Sequence, residues 1–386
     1  MKPVLLRSSW QTKNIGDIAH TPGFLNLAKK YLPEVPVWLW PCQINRGVRE
    51  MLQENFPELR IVESDAEIQD AFDKCSLMIN GSGPGIESWS LGEWRARTKK
   101  PYGFYGISAD GLWTEEKKAI LNDAAFIYCR DSLSQYFLRQ QQLACPVIDF
   151  APDATFALRL GKNTGAAKYL QENGLEPGKF ICVIPRLRYT PADFDDDHFY
   201  YKDPKRQLPS EEHLEADMEK MRQVIVEVVE KSGLKVLICP EMTYQVPMGR
   251  RYLYEPLPEK IKERVVLKRE YWITDEAQTV YAAAHSLVSM EMHSPIIFIT
   301  AGKPAILLRQ AEDTFKGQMW RDIGLQNWIL ELNVSGADEI SRHVFGVINS
   351  YPAALRQAET ARDNADRAAA AAFRTIRAMI RRQEEK

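Results

Sequence analysis

Short apolar runs alternate with amphipathic stretches along nearly the whole chain, and this alternation limits the fold more than any other feature. In the first half the apolar runs fall at residues 4–6, 35–40, 60–62, 77–80, 102–107, 126–129 and 147–150. In the second half they fall at 180–184, 236–239, 265–267, 287–290, 305–308 and 328–332. Each is of strand length, and the intervals between them carry apolar residues at helical spacing. Phe24, Ala28 and Tyr31, with Leu25 and Leu32, form one such set. Further helices are expected around 211–231, 275–284 and 295–301. A strand–helix–strand rhythm of this kind folds as a parallel sheet with helices on both faces.

At 386 residues the chain exceeds the roughly 150 residues of an ordinary domain, so two are expected. Gly161, Gly165, Gly174 and Gly178 cluster at the join. The expected fold is α/β, with two Rossmann-like lobes, 1–160 and 175–350, and an active site in a central cleft. Residues 351–386 are rich in Ala, Arg and Glu and read as one long helix, packing back across both lobes or mediating a homo-oligomer. Residues 189–209 are polar, lack a period and read as a long loop, either a lid over a site or a surface excursion.

Composition narrows the function classes. Lys plus Arg number 50 against 52 acidic residues, which argues against a general nucleic-acid binder. No apolar stretch approaches the roughly 18 residues of a membrane span, and the apolar run after Met1 is too short for a signal peptide, so a cytoplasmic protein is expected. Six scattered cysteines form no C-x-x-C pair and read as reduced thiols rather than metal ligands. No metal or cofactor site is expected; the carboxylates beside His198 are consecutive and cannot converge on one ion.

Ligands in open α/β sheets gather beyond the carboxyl ends of the strands, so the residues following each run are the candidates. After the first come Asn14, Gly16 and Asp17, suited to a tight turn ahead of a helix, with a plain strand-to-helix turn as the alternative. Thr21-Pro22 has the form of a helix start, a capping residue followed by proline. After the fourth run come Gly81, Ser82 and Gly83, a turn that lets the backbone approach a ligand or a neighbouring segment. Arg130 precedes a helix start at Asp131-Ser132, where Ser132 and Gln135 read as a capping box. Arg130 either faces the cleft or pairs with Asp153, which itself reads as a turn or capping carboxylate. In the second half, Arg186 and Arg188 project alike from an extended segment, a pattern for gripping phosphate or carboxylate, unless they pair with the acidic residues at 193–197. Glu241 follows the next run. Glu291, His293 and Ser294 close another, with His293 just ahead of a helix starting at Ser294-Pro295. A histidine there is placed for proton transfer to an anionic ligand, or is a structural residue.

Taken in order, these features resemble the polysaccharide pyruvyl transferase family. Asn14-Ile15-Gly16-Asp17 is similar to its early turn, Asn80-Gly81-Ser82-Gly83 to its glycine turn, Arg130-Asp131-Ser132 to its helix start, and Pro152-Asp153 to its P-D segment. Ser289, His293 and Ser294, followed by Gly302-Lys303-Pro304, resemble its strand end, helix and G-x-P. The resemblance implies a fold similar to GT-B glycosyltransferases and transfer of pyruvate from phosphoenolpyruvate to two sugar hydroxyls as a ketal, in surface polysaccharide biosynthesis. It implies His293 as general acid and Arg186 or Arg188 as the donor's anchor, with a sugar or glycolipid as acceptor. One position departs: Glu291 stands where the family carries arginine. A carboxylate there repels phosphoenolpyruvate unless it pairs with a donor-binding arginine, and it raises the proton affinity of His293. Three readings stay open: pyruvyl transfer, a nucleotide-sugar glycosyltransferase of the same architecture, and a glycan-binding homologue without catalysis.

Overall fold

The computed structural model describes every residue except 110, 112, 196, 197, 314, 316, 385 and 386. Two compact units make up the chain. One comprises Met1–Thr12, Gly16–Gly161 and Asp363–Lys386; the other comprises Lys13–Ile15 and Lys162–Arg362.

In the first unit the apolar runs become β1 (Val4–Ser8), β2 (Val37–Pro41), β3 (Arg60–Ile61), β4 (Leu77–Asn80), β5 (Gly83–Pro84), β6 (Tyr102–Ser108), β7 (Phe126–Cys129) and β8 (Ile148–Phe150). The sheet runs β3-β2-β1-β4-β6-β7-β8, with β5 beside β6, and its pairings are parallel. The chain leaves β1 in one direction and reaches β4 on its other side, so the two are neighbours at a topological switch point. A core of Phe72, Trp94, Phe104, Ile107 and Ile127 lies on the sheet. Gly106 has φ +72° where the β6–β7 register shifts, and a Cβ there would meet the Ser82 hydroxyl at 2.3 Å. A side chain at that bulge would displace the β4 turn.

The helix Ile15–Tyr31 begins well before Thr21-Pro22, which corrects the expected start. Pro22 lies inside it, and Thr21 turns its hydroxyl to Ser8 and Ser9 instead of capping. Gly23 comes so close to Ala154 that a Cβ would lie 2.1 Å from that residue's carbonyl oxygen. The expected box at Ser132 and Gln135 is also corrected. Asp131 caps the helix Ser132–Gln140 through the Ser134 N–H, and Gln135 reaches Asp149.

The second unit holds β9 (Phe180–Ile184), the antiparallel hairpin β10 (Asp193–Phe194) and β11 (Phe199–Tyr200), then β12 (Lys235–Ile238), β13 (Val265–Leu267), β14 (Ser286–Ser289), β15 (Ala305–Arg309) and β16 (Ile329–Glu331). Its parallel sheet runs β13-β12-β9-β14-β15-β16, the doubly wound order, with the switch point between β9 and β14. Residues 189–209 are not one long loop. They contain the hairpin and the start of the helix Pro204–Ser232, which Asp203 caps through the Lys205 N–H. Asp203-Pro204 is a cap followed by proline at the first position, a signal that Pro209 masks. The tail forms one helix, Tyr351–Glu384. Ala365, Ala369, Ala372, Phe373, Ile376 and Ile380 are buried at helical spacing along its second half. Phe373 packs on Phe24, Tyr31 and Tyr105 of the first unit, to which these residues belong. Lys30 and Tyr31 both bond Asp366.

No described helix is long and apolar enough to cross a membrane. The six cysteines are free; five are buried and Cys42 is exposed.

Candidate functional site

The residues singled out from the sequence collect at the carboxyl ends of strands, beside the switch point in the second unit and after β1, β4, β7 and β8 in the first.

In the second unit, the turn after β12 carries Glu241 and the turn after β14 carries Glu291 and His293. Glu241 is fully buried. Its Oε2 accepts the Ser294 N–H at 2.6 Å, and its Oε1 lies 3.4 Å from His293 Nδ1. Burial works against its charge, but the hydrogen bond and charge of His293, with the Ser294 N–H, hold its carboxyl below the ordinary value. The helix His293–Thr300 starts at the histidine itself, two residues before Pro295, so Ser294 offers its N–H from the positive end of the helix. A carboxylate held against an imidazole fixes the ring's orientation. The backbone around Glu241 is fixed too: its carbonyl accepts the Ile15 N–H at 3.0 Å, Asn14 bridges Met242, and Thr274 bonds the Ile15 carbonyl.

Glu291 does what the sequence left open and meets an arginine. Arg186 Nε lies 3.4 Å from Glu291 Oε2, while the Gln245 amide donates to Glu291 Oε1 at 2.8 Å. The same Gln245 side chain accepts the N–H groups of Glu241 and Met242, so one amide ties the two acidic turns together. Arg186 also bonds Asp313 and Gln310. Arg188 is buried, gripped by Asp217 at 2.8 and 2.9 Å and bonded to Glu312 and Asn333. Burial opposes its charge, but the bonds to Asp217 and Glu312 outweigh that and raise its pKa. Among the described residues, the acidic partners of the two arginines are Asp217, Glu291, Glu312 and Asp313.

In the first unit, Asp153 is the hub. It accepts Arg130 at 2.7 Å and the Thr155 N–H at 2.9 Å, and His20 Nε2 lies 3.3 Å away. Arg130, Asp153 and His20 are all buried, and Arg130 also bonds Ser108. Asp17 accepts from Gln11 at 2.5 Å and lies 3.9 Å from His20 Nδ1. Gly16 stands at the start of this unit's share of the helix. The glycine turn admits its own neighbours: a Cβ at Gly81 would sit 3.1 Å from the Ser8 hydroxyl, and one at Gly83 would sit 2.7 Å from Trp10 Nε1. Ser82 accepts the Ala154 N–H, and Trp10 donates to the Ser82 carbonyl.

Several members of these clusters escaped the sequence reading. His20 is one; reading the helix as starting at Thr21 hid the i, i+3, i+4 spacing of Asp17, His20 and Thr21 along one face. Gln245, Asp217 and Asp313 are others, and no local motif marks them. In the hairpin, Asp195 accepts the His198 N–H and the Tyr200 hydroxyl; positions 196 and 197, part of the metal site weighed above, lie outside the described residues.

A family model described as polysaccharide pyruvyl transferase matches residues 14–311. A search of curated proteins finds no match. Among solved structures, the chain is similar to UDP-GlcNAc 2-epimerase from Neisseria meningitidis bound to UDP-GlcNAc, at 13% identity and a TM-score of 0.62, covering 97% of this chain and 99% of that one. It is similar to UDP-GlcNAc 2-epimerase from Methanocaldococcus jannaschii, at 10% identity and a TM-score of 0.57, covering 91% and 93%. It is also similar to the ADP-heptose LPS heptosyltransferase II of E. coli, at 11% identity and a TM-score of 0.54, covering 91% and 99%. At these identities the likeness carries the fold alone, the GT-B arrangement of parallel α/β sheets.

Proposed function

The chain belongs to the polysaccharide pyruvyl transferase family, and we propose that it transfers pyruvate from phosphoenolpyruvate to two hydroxyls of a sugar or glycolipid acceptor, with His293 as the proton donor. The observation that carries this is the His293–Glu241 pair beside the β9–β14 switch point. In the reaction the enol methylene takes a proton and becomes methyl, one hydroxyl oxygen bonds the central carbon, phosphate leaves, and the second hydroxyl closes the ketal. The two hydroxyl protons balance the one gained by carbon and the one gained by phosphate. Protonating the enol needs a positioned acid, and an imidazole oriented by a carboxylate suits that task. Arg186 is the proposed anchor of the donor, whose carboxylate competes with Glu291 for the guanidinium. Phosphoenolpyruvate is a cytoplasmic metabolite, so the proposed place of action is the cytoplasm.

A second reading is a family member that binds glycans without transferring pyruvate. It is favoured by the carboxylates around Arg186 and Arg188, which offset the cations that a trianionic donor needs. A nucleotide-sugar enzyme has less support, because Glu241 takes up the Ser294 N–H at a helix N-terminus, where a diphosphate would dock.

Phosphate release from phosphoenolpyruvate, measured over a panel of sugar acceptors, separates these readings. The expected result is acceptor-dependent release that falls by about 100-fold or more in His293→Ala. Full activity in that variant would sink the proton-donor role. Absence of release with every acceptor that the chain binds would favour the second reading.

A further inference from the structure

A cavity of about 240 Å³ opens beside Leu187, the residue between the two arginines. It is lined by Phe199, Tyr200, Tyr201 and Tyr252, with Gln207 and Ser210 at its polar side. Three elements build it: the helix Pro204–Ser232 supplies Gln207, Ser210 and Glu211, and a hairpin and a π-helical turn supply the rings. The β10–β11 hairpin brings the first three rings, held by the Ala192 N–H to the Tyr200 carbonyl and the Tyr200 hydroxyl to Asp195. Tyr252 comes from the π-helical turn Gly249–Tyr254, a backbone form that concentrates at functional sites. Phe199 bridges the two, 6.5 Å from the Tyr252 ring and 6.1 Å edge-on to Tyr244. The Tyr244 hydroxyl accepts the Leu187 N–H and the Gln245 amide, so the ring cluster touches the network that holds Glu291 and Glu241.

We propose that this cavity is the subsite for one sugar ring of the acceptor glycan, a deepening that rests on the transferase reading above. The chemistry of the lining selects the ligand. Tyrosine and phenylalanine faces pack on the C–H face of a pyranose, while hydroxyl and amide groups meet its oxygens. Among the described residues the lining includes Glu211 and no lysine or arginine, which disfavours a phosphorylated donor and suits a neutral, hydroxyl-rich ring. The volume lies below the roughly 300 Å³ at which pockets for larger ligands begin, so it fits a single sugar unit. Tyr200 is 51% exposed, so truncating it removes its bond to Asp195 but opens no buried core.

Binding of the full chain to a glycan array, followed by titration of the best-bound glycan, tests the subsite. Tyr200→Ala and Tyr252→Ala are each expected to weaken binding about tenfold, equivalent to about 1.4 kcal/mol. Tyr252→Phe, which keeps the ring, is expected to stay within about threefold of the parent. In the phosphate-release assay the alanine variants should raise the KM for acceptor and leave that for phosphoenolpyruvate unchanged. Undiminished glycan binding in both alanine variants, or no glycan bound by the parent, overturns the subsite. Ring-dependent glycan binding without phosphate release keeps the subsite and overturns pyruvyl transfer instead.

Discussion

At the scale of single residues, the second unit's cluster is a contest over one guanidinium. Arg186 lies between Glu291 and Asp313, and Glu291 is itself steadied by Gln245. A carboxylate ligand that reaches Arg186 competes with these two acids for the guanidinium. Glu291→Gln keeps the shape and the bond to Gln245 but removes one competing charge. It is therefore expected to lower the KM for phosphoenolpyruvate by about threefold to tenfold, on the scale of a charged hydrogen bond partly offset by solvent. A KM that rises would mean that Glu291 positions the arginine rather than competing for it. Some of this was legible in the sequence. Glu241, Glu291, His293 and both arginines stand out because strand ends at a switch point are short and follow apolar runs. Asp217, Asp313 and Gln245 were not legible. They sit inside ordinary helices and turns, and only the folded sheet brings them to residues separated by up to 127 positions.

At the scale of elements, the rhythm of apolar runs transfers almost directly into strands, because a parallel strand buried on both faces has to be continuously apolar. Boundaries of helices transferred less well. Proline served as a misleading marker at Pro22 and Pro209, both inside helices. One joint between elements makes stability depend on pH. His285, just before β14, stacks on Tyr351 at the start of the last helix, at 3.8 Å between ring centroids. Burial, with the nearby charge of Lys303, lowers its pKa from 6.5 to about 4. Below about pH 6.5 the unfolded chain binds a proton that the folded chain refuses, so stability falls as pH drops towards 4 and levels off below it. After allowance for solvent screening the loss is about 2 kcal/mol. His285→Phe keeps the stack and removes the proton site. Urea midpoints at neutral and acidic pH should therefore differ less in the variant than in the parent; an equal difference would assign the acid sensitivity elsewhere.

At the scale of the whole molecule, each unit is built from segments distant in sequence. The first takes residues 363–386 from beyond the second, and the second takes Lys13–Ile15 from within the first. Chain order therefore does not map onto unit order, and neither glycines nor charge mark these exchanges. Deleting residues 363–386 would strip Phe373 from Phe24 and Tyr105 and remove the buried faces of Ile376 and Ile380. At about 1.5–3 kcal/mol for each large apolar side chain, the first unit is expected to lose roughly 5 kcal/mol. Limited proteolysis of the truncated chain should then cut first within residues 1–161, whereas cutting first within the second unit would contradict this.

The return of that helix also sets a timetable for synthesis. Domains commonly fold as they leave the ribosome, earliest first. Here the segment that completes the first unit is translated only after residue 362, when the whole second unit has already been made. The Phe24 and Tyr105 surfaces that Phe373 covers stay open to water, or to chaperones, until residue 373 has been made. The sheet of the first unit is begun before the second unit is made and completed only after it.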